Sequence, residues 1–86
     1  SYWRASGAHT LPWPLALYHF DAAVNCGVKR AAGFLLASGS SPSKYLLQRE
    51  AYYDRLVQQK PGLAKYRRGW GRRVDDLKTH GEPPKV

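Results

Sequence analysis

Cysteine, acidic residues and long apolar runs are scarce in this chain. The single cysteine, Cys26, excludes an internal disulfide framework and a cysteine-rich zinc site. No apolar run approaches the ~20 residues that a membrane-spanning helix needs, and residues 1–4 do not have the pattern of a signal peptide. A fold made from this sequence therefore depends on ordinary packing of its side chains.

The 86 residues are enough for one small domain, which we predict over residues 1–80 with a flexible tail over 81–86. Hydrophobic residues make up 43% of the chain, a share typical of globular proteins. Three tryptophans, six tyrosines and two phenylalanines can supply much of a core. We therefore expect a folded domain of modest stability.

Positive charge is concentrated in the second half of the sequence. The net charge is +8, and residues 44–86 hold eleven of the fourteen lysines and arginines. A basic half predicts an anionic partner, which charge alone leaves open as nucleic acid, anionic lipid or an acidic cell-wall polymer.

The apolar spacing and the helix signals predict an all-α fold, a small bundle of about four helices. Pro14 suits the first turn of one helix and Gly27 its end, while Ser41 and Pro42 form an N-cap and first position for another. No stretch alternates with a period of two, so no strand is expected. The predicted helices cover residues 15–26, 29–38, 42–59 and 70–78.

The predicted helix over 42–59 has an apolar stripe that includes Tyr45 and Tyr53, and a face that we expect to be solvated. That face includes Arg49 and Asp54. Glu50 and Asp54 are four residues apart, and we interpret them as part of a surface charge pattern and not as a catalytic pair.

Asp21 is the one formal charge on an otherwise apolar predicted helix, with Asn25 one turn later. These two side chains either face a groove and bind polar groups of a sugar or peptide, or they cap or pair within the fold. A buried carboxylate requires a partner, for which Arg30 or an arginine of the last helix is available. Our hypothesis is a pair with Arg72 or Arg73.

His19 and Cys26 are too few to form a metal site, and we interpret Cys26 as a small buried thiol. No catalytic residue, metal or cofactor is expected. In the basic half, aromatic side chains that can stack on sugars or bases alternate with arginines that can bind carboxylate or phosphate. Trp70 also fits a core position, since it is spaced helically from Val74 and Leu77.

Two groups of segments, in this order, resemble one known family. The first group is LPWPLA at 11–16, FDAAVNCG at 20–27 and RAA at 30–32, and the second is YYDRL at 52–56 and YRRGWGRRV at 66–74. They resemble the C-terminal half of glycoside hydrolase family 108, the phage and bacterial N-acetylmuramidases. That half, a lysozyme-like C-terminal lobe, is described as a predicted peptidoglycan-binding domain. The resemblance covers most of residues 2–77, and Gly39 to Pro42 replace an insert of the family.

The resemblance implies a peptidoglycan-directed module of an endolysin-like lytic protein, in a phage virion or at the bacterial envelope or periplasm. The family's catalytic Glu lies in an N-terminal segment near an E-G-G motif, and no Glu precedes Glu50 here. We therefore expect this chain alone to bind or scaffold without hydrolysis. Its expected partners are peptidoglycan or another anionic polymer, a catalytic N-terminal segment, or phage tail proteins. The predicted substrate-binding residues are Asp21, Asn25, Tyr66, Arg68, Trp70, Arg72 and Arg73.

Two alternatives remain open at this point. The same helical scaffold suits a small basic protein that binds nucleic acid or inhibits a nucleoprotein, because fold does not determine function. It also suits a structural segment of a phage tail assembly, with Trp3, Trp13 and Tyr45 buried against other chains.

Overall fold

The computed structural model describes residues 2–81, and within that range the chain forms helices and no strand. The predicted all-α small bundle is confirmed. Helix α1, at the beginning of the chain, was not predicted, so there are five α-helices where about four were expected. The α-helices are α1 Tyr2–Ala5, α2 Leu15–Cys26, α3 Val28–Ser38, α4 Pro42–Gln59 and α5 Ala64–Gly81, with short 3-10 helices at Ala8–Thr10 and Pro61–Leu63.

Local capping signals determine where α2 ends and where α4 begins, as predicted. Gly27 has a φ of 98° and donates its N–H to the carbonyl of Ala23 at 3.1 Å, which ends α2. Ser41 accepts a hydrogen bond from the backbone N–H of Lys44 at 3.5 Å, and Pro42 follows as the first residue of α4. Helix α3 begins one residue before its predicted start.

Helix α5 differs most from its prediction, since it begins at Ala64 and not near Trp70. Gly69 and Gly71 lie inside it, although each costs ~1 kcal/mol of helix propensity relative to alanine. Val74 and Leu77 are buried, and packing of this face against the bundle offsets that cost. Of the predicted tail over 81–86, Gly81 is the buried last residue of α5, and residues 82–86 lie outside the described residues.

The last residue of α5 lies close to the start of α2. Gly81 is buried, and a β-carbon at this position would lie 2.5 Å from the hydroxyl oxygen of Tyr18 and 2.8 Å from Cβ of Pro14. Only glycine allows this approach, which brings the C-terminal part of α5 against α2.

Helix α2 lies at the centre of the bundle and packs against α3, α4 and α5. Its small residues Ala22 and Ala23 are fully buried, which lets the neighbouring helices approach closely. The core is completed by side chains from the other three helices: Ala31, Phe34, Tyr45, Leu46, Tyr53, Val74 and Leu77. No helix in the described range is both long and apolar enough to cross a bilayer.

Candidate functional site

The carboxylate of Asp21 is buried where α2, α4 and α5 meet. The residue is 7% exposed, and its Oδ2 accepts a hydrogen bond from Nη1 of Arg49 at 2.6 Å. Nε of Arg73 lies 3.1 Å from both carboxylate oxygens, and Nη2 of Arg73 also donates to Oδ1. Of the candidate partners from the sequence, Arg73 is therefore the one that pairs with Asp21. Arg30 instead stacks over the ring of Tyr52.

Two arginines keep the Asp21 carboxyl ionised. Burial by itself would raise the pKa of Asp21, but the hydrogen bonds from Arg73 and Arg49, together with their charges, bring this pKa below its usual value of 3.8. Asp21 in turn raises the pKa of the Arg73 guanidinium through their hydrogen bond. The cluster therefore contains one negative and two positive charges at neutral pH.

The prediction that Arg49 lies on a solvated face is wrong, because its side chain is 0% exposed. Its Nε donates to the hydroxyl of Tyr53 at 2.7 Å, and burial raises the pKa of that hydroxyl to about 12, so it stays neutral. The charge of Arg49 is compensated by Asp21, 28 residues earlier in the chain. The spacing of residues in the sequence could have indicated that Arg49 is buried. Tyr45, Arg49 and Tyr53 follow one another at four-residue intervals and therefore lie on one helix face.

A groove of about 420 Å³ lies between α2 and α5 on one side of the Asp21–Arg73 pair. Trp13, held between two prolines before α2, is 61% exposed at this groove. Sequence reasoning did not select Trp13 as a site residue, although the prolines at 12 and 14 already argued against its being inside a helix. We call this the Trp13 groove, and it is lined by Trp13, Leu17, Asp21, Arg73, Asp76, Leu77 and His80.

A smaller cavity of about 140 Å³ lies on the other side of Arg73, between α2, α4 and α5. Trp70 stacks on Tyr53 with ring centroids 4.8 Å apart, and Tyr66 stacks on Trp70 at 6.1 Å. Trp70 thus packs on a core side chain and also faces this cavity. We call it the Trp70 cavity, and it is lined by Asn25, Cys26, Arg49, Tyr52, Tyr53, Leu56, Trp70 and Arg73.

The fold brings together only some of the predicted binding residues. Asp21 and Arg73 line the Trp13 groove, while Asn25, Trp70 and Arg73 line the Trp70 cavity. Asn25 donates a hydrogen bond from Nδ2 to the backbone carbonyl of Asp21 at 2.9 Å, one turn earlier in α2. The other three predicted residues lie on α5: Tyr66 is exposed and stacks on Trp70, while Arg68 and Arg72 are exposed and line neither cavity.

Several other titratable groups have structural partners. Asp54 accepts a hydrogen bond from Nε of Arg67 at 2.8 Å, at the surface. His19 is buried and donates from Nε2 to the carbonyl of Ser6, while its Nδ1 lies 2.7 Å from the hydroxyl of Tyr45. Cys26 is partly buried, with its Sγ 3.8 Å from the hydroxyl of Tyr53. Within the described range, no three His, Cys, Asp or Glu side chains form a group that could hold a metal ion.

Comparison with known proteins identifies similarity to one family at the beginning of the chain. The family model of glycosyl hydrolase 108 matches residues 1–27. No curated protein and no solved structure matches the chain. The matched segment contains Trp13, Leu17 and Asp21 of the Trp13 groove and Asn25 of the Trp70 cavity. This similarity supports a muramidase-related origin for the protein.

Proposed function

We propose that this chain is a peptidoglycan-directed module of a muramidase-like cell-wall lytic protein, and that it binds the wall without cleaving it. One observation carries the proposal. Arg73 lies between two adjoining cavities, each of which has a tryptophan in its lining. Several residues of both linings come from the segment that matches the glycosyl hydrolase family.

The side chains around Arg73 suit an N-acetylated sugar. Trp13 and Trp70 offer aromatic faces on which the apolar face of a pyranose ring can pack. Asn25 offers an amide for the hydroxyl and acetamido groups of such a sugar. The Arg73 side chain is 53% exposed even though it binds Asp21, so it can also reach a ligand. Apolar and polar contacts are therefore available within one site.

The environment of Asp21 supports binding without hydrolysis. A glycosidase needs a carboxylic acid that is still protonated when it meets the substrate, and usually a second carboxylate across the bond. The pKa of Asp21 is lowered, and both of its oxygens accept hydrogen bonds from arginines. Asp21 is therefore unsuited to donate a proton at neutral pH.

Purified peptidoglycan sacculi provide the direct test. The wild-type protein should sediment with them, and Trp13→Ala should weaken binding about tenfold because an exposed aromatic contact is lost. Leu36→Ala is the matched control, since Leu36 is a well-exposed apolar residue of α3 that lines neither cavity. Failure of the wild-type protein to sediment, or equal binding by Trp13→Ala, contradicts the proposal.

Two further measurements separate this function from the alternatives. A turbidity assay with the purified chain should show no lysis, and clear muramidase activity would overturn the non-catalytic role. A gel shift with DNA should be weak. Steeply salt-dependent DNA binding without wall retention would instead favour a nucleic-acid-binding protein.

We also propose that Arg68 and Arg72 contact anionic groups of the wall, so Arg68→Gln/Arg72→Gln should reduce sedimentation.

A further inference from the structure

A third depression, of about 260 Å³, adjoins the Trp70 cavity and is strongly basic. Tyr52 and Leu56 line both of them, so the two share a wall. We call the third depression the basic pocket, and it is lined by Arg30, Tyr52, Arg55, Leu56, Gln59 and Lys60.

Among the described residues, the three cations of the basic pocket have no counter-charge. Its lining contains no carboxylate, and none of Arg30, Arg55 and Lys60 forms an ion pair within residues 2–81. By contrast, Arg49 and Arg73 both form ion pairs with Asp21. Like charges held close together repel one another, and a bound anion would relieve that repulsion.

Arg30 is held in an orientation suited to an anion. Its guanidinium carbon lies 4.4 Å from the centre of the Tyr52 ring, so a cation–π contact restrains the side chain. The N–H groups of this guanidinium make no hydrogen bond to any other described side chain or carbonyl. A planar guanidinium with free N–H groups binds a carboxylate through two parallel hydrogen bonds.

The three depressions form a row in which each neighbouring pair shares lining residues. Arg73 lines both the Trp13 groove and the Trp70 cavity, and Tyr52 and Leu56 line both the Trp70 cavity and the basic pocket. One end of the row therefore has an exposed tryptophan, and the other has three cations that form no ion pair in the described range. A matching ligand has a sugar at one end and an anionic group at the other.

We propose that the basic pocket is a carboxylate subsite for the peptide part of a muropeptide, whose sugars occupy the Trp13 groove and the Trp70 cavity. The inference rests on the proposed function and adds the part of the ligand that the basic pocket recognises. Peptidoglycan has this composition, because its N-acetylated sugars carry short peptides with free carboxylates.

Isothermal titration calorimetry with three probes tests the subsite: an uncharged N-acetylglucosamine oligomer, a disaccharide-peptide from purified peptidoglycan, and the same disaccharide-peptide with its carboxylates amidated. The wild-type protein should bind the carboxylated form about tenfold more tightly than the amidated form. Arg55→Gln/Lys60→Gln should lose this preference and still bind the uncharged oligomer. Arg30→Lys, which keeps the charge without the planar group, should show an intermediate preference.

The matched control is Arg4→Gln/Lys44→Gln, which removes the same amount of charge from exposed positions that line none of the three depressions. It should keep the full preference. An unchanged preference in Arg55→Gln/Lys60→Gln overturns the subsite and leaves sugar binding intact. Absence of binding by all three probes overturns the proposed function, and the subsite with it. The carboxylate assignment would also be overturned if the wild-type protein bound an oligonucleotide more tightly than the disaccharide-peptide and Arg55→Gln/Lys60→Gln abolished that oligonucleotide binding.

Discussion

Arg49 and Arg55 lie six residues apart on α4 and have opposite environments. Arg49 is fully buried and bonds to Asp21 and Tyr53, whereas Arg55 is exposed and has no acidic partner among the described residues. A buried guanidinium must have its charge and N–H groups compensated inside the protein, whereas water can solvate an exposed one. Arg49 therefore connects helices, and Arg55 is available to bind a ligand.

The regions that contain these two arginines, the buried cluster around Asp21 and the basic pocket, also differ in the contacts that hold them together. The Asp21 cluster, which consists of Asp21, Arg49 and Arg73, joins three helices. The two arginines are 28 and 52 residues from Asp21 in the sequence. The basic pocket combines residues near the start of α3 with residues near the end of α4, and its cations form no ion pair in the described part of the chain. Substitutions in the first region should therefore affect stability, and those in the second should affect binding.

The largest expected effect comes from Asp21→Asn. This change leaves the buried Arg49 without a counter-charge and should lower the free energy of unfolding by about 3–5 kcal/mol. Urea denaturation measures the change. Asp54→Asn is the matched control, because the Asp54–Arg67 pair is at the surface and should contribute about 1 kcal/mol or less. Equal losses in the two variants would contradict the contrast between buried and exposed pairs.

Acid should remove the same pairing reversibly. Because the pKa of Asp21 is lower in the folded protein than its ordinary value of 3.8, its stabilising effect is complete above that value and is lost as the pH falls through the folded-state pKa. The Tm of the wild-type protein should therefore fall more steeply than that of Asp21→Asn as the pH is lowered below about 4. Parallel curves would show that other carboxylates dominate the acid response.

Tyr53→Phe should have the next largest effect. It removes the hydroxyl that accepts from Nε of Arg49, a side chain whose buried Nη2 already has no hydrogen-bond partner in the part of the chain that the structure describes. Leaving a second buried donor unpaired should lower the free energy of unfolding by about 1–3 kcal/mol in urea denaturation. Tyr66→Phe removes an exposed hydroxyl and serves as the control. A loss as large in the control would mean that the Arg49–Tyr53 bond contributes nothing specific.

The smallest effect on stability is expected in the basic pocket. Arg55→Gln/Lys60→Gln should change the free energy of unfolding by no more than about 0.5 kcal/mol, since both side chains are exposed and form no ion pair with a described residue. Thermal denaturation without ligand measures the difference. A loss comparable with that of Tyr53→Phe would place these cations among the groups that stabilise the fold, and would remove the contrast between the two regions.

Where helix signals lie within a few residues of one another, sequence reasoning predicted the helices accurately. Gly27 ends α2 and Ser41 caps α4, and both act through local hydrogen bonds. Helix α5 was predicted too short because Gly69 and Gly71 weaken local propensity. Its packing against the rest of the bundle is a tertiary effect, which a local rule does not include.

The candidate site was also predictable only in part, because it too depends on tertiary contacts. The requirement that a buried acid has a partner led from Asp21 to Arg72 or Arg73, and the structure shows that Arg73 is the partner. The same requirement did not lead to Arg49, because residue polarity had already assigned that side chain to the surface. Trp13 was missed as well, since the groove that it lines exists only after α5 packs against α2.

The amino-acid sequence by itself determined the helical class, the ends of α2 and α4, and the excess of positive charge. Only the tertiary structure decided which cations are buried with an acid and which remain unpaired at the surface. The physical reason is that charge compensation depends on distances between side chains, and the helices that bring Asp21, Arg49 and Arg73 together are far apart along the chain.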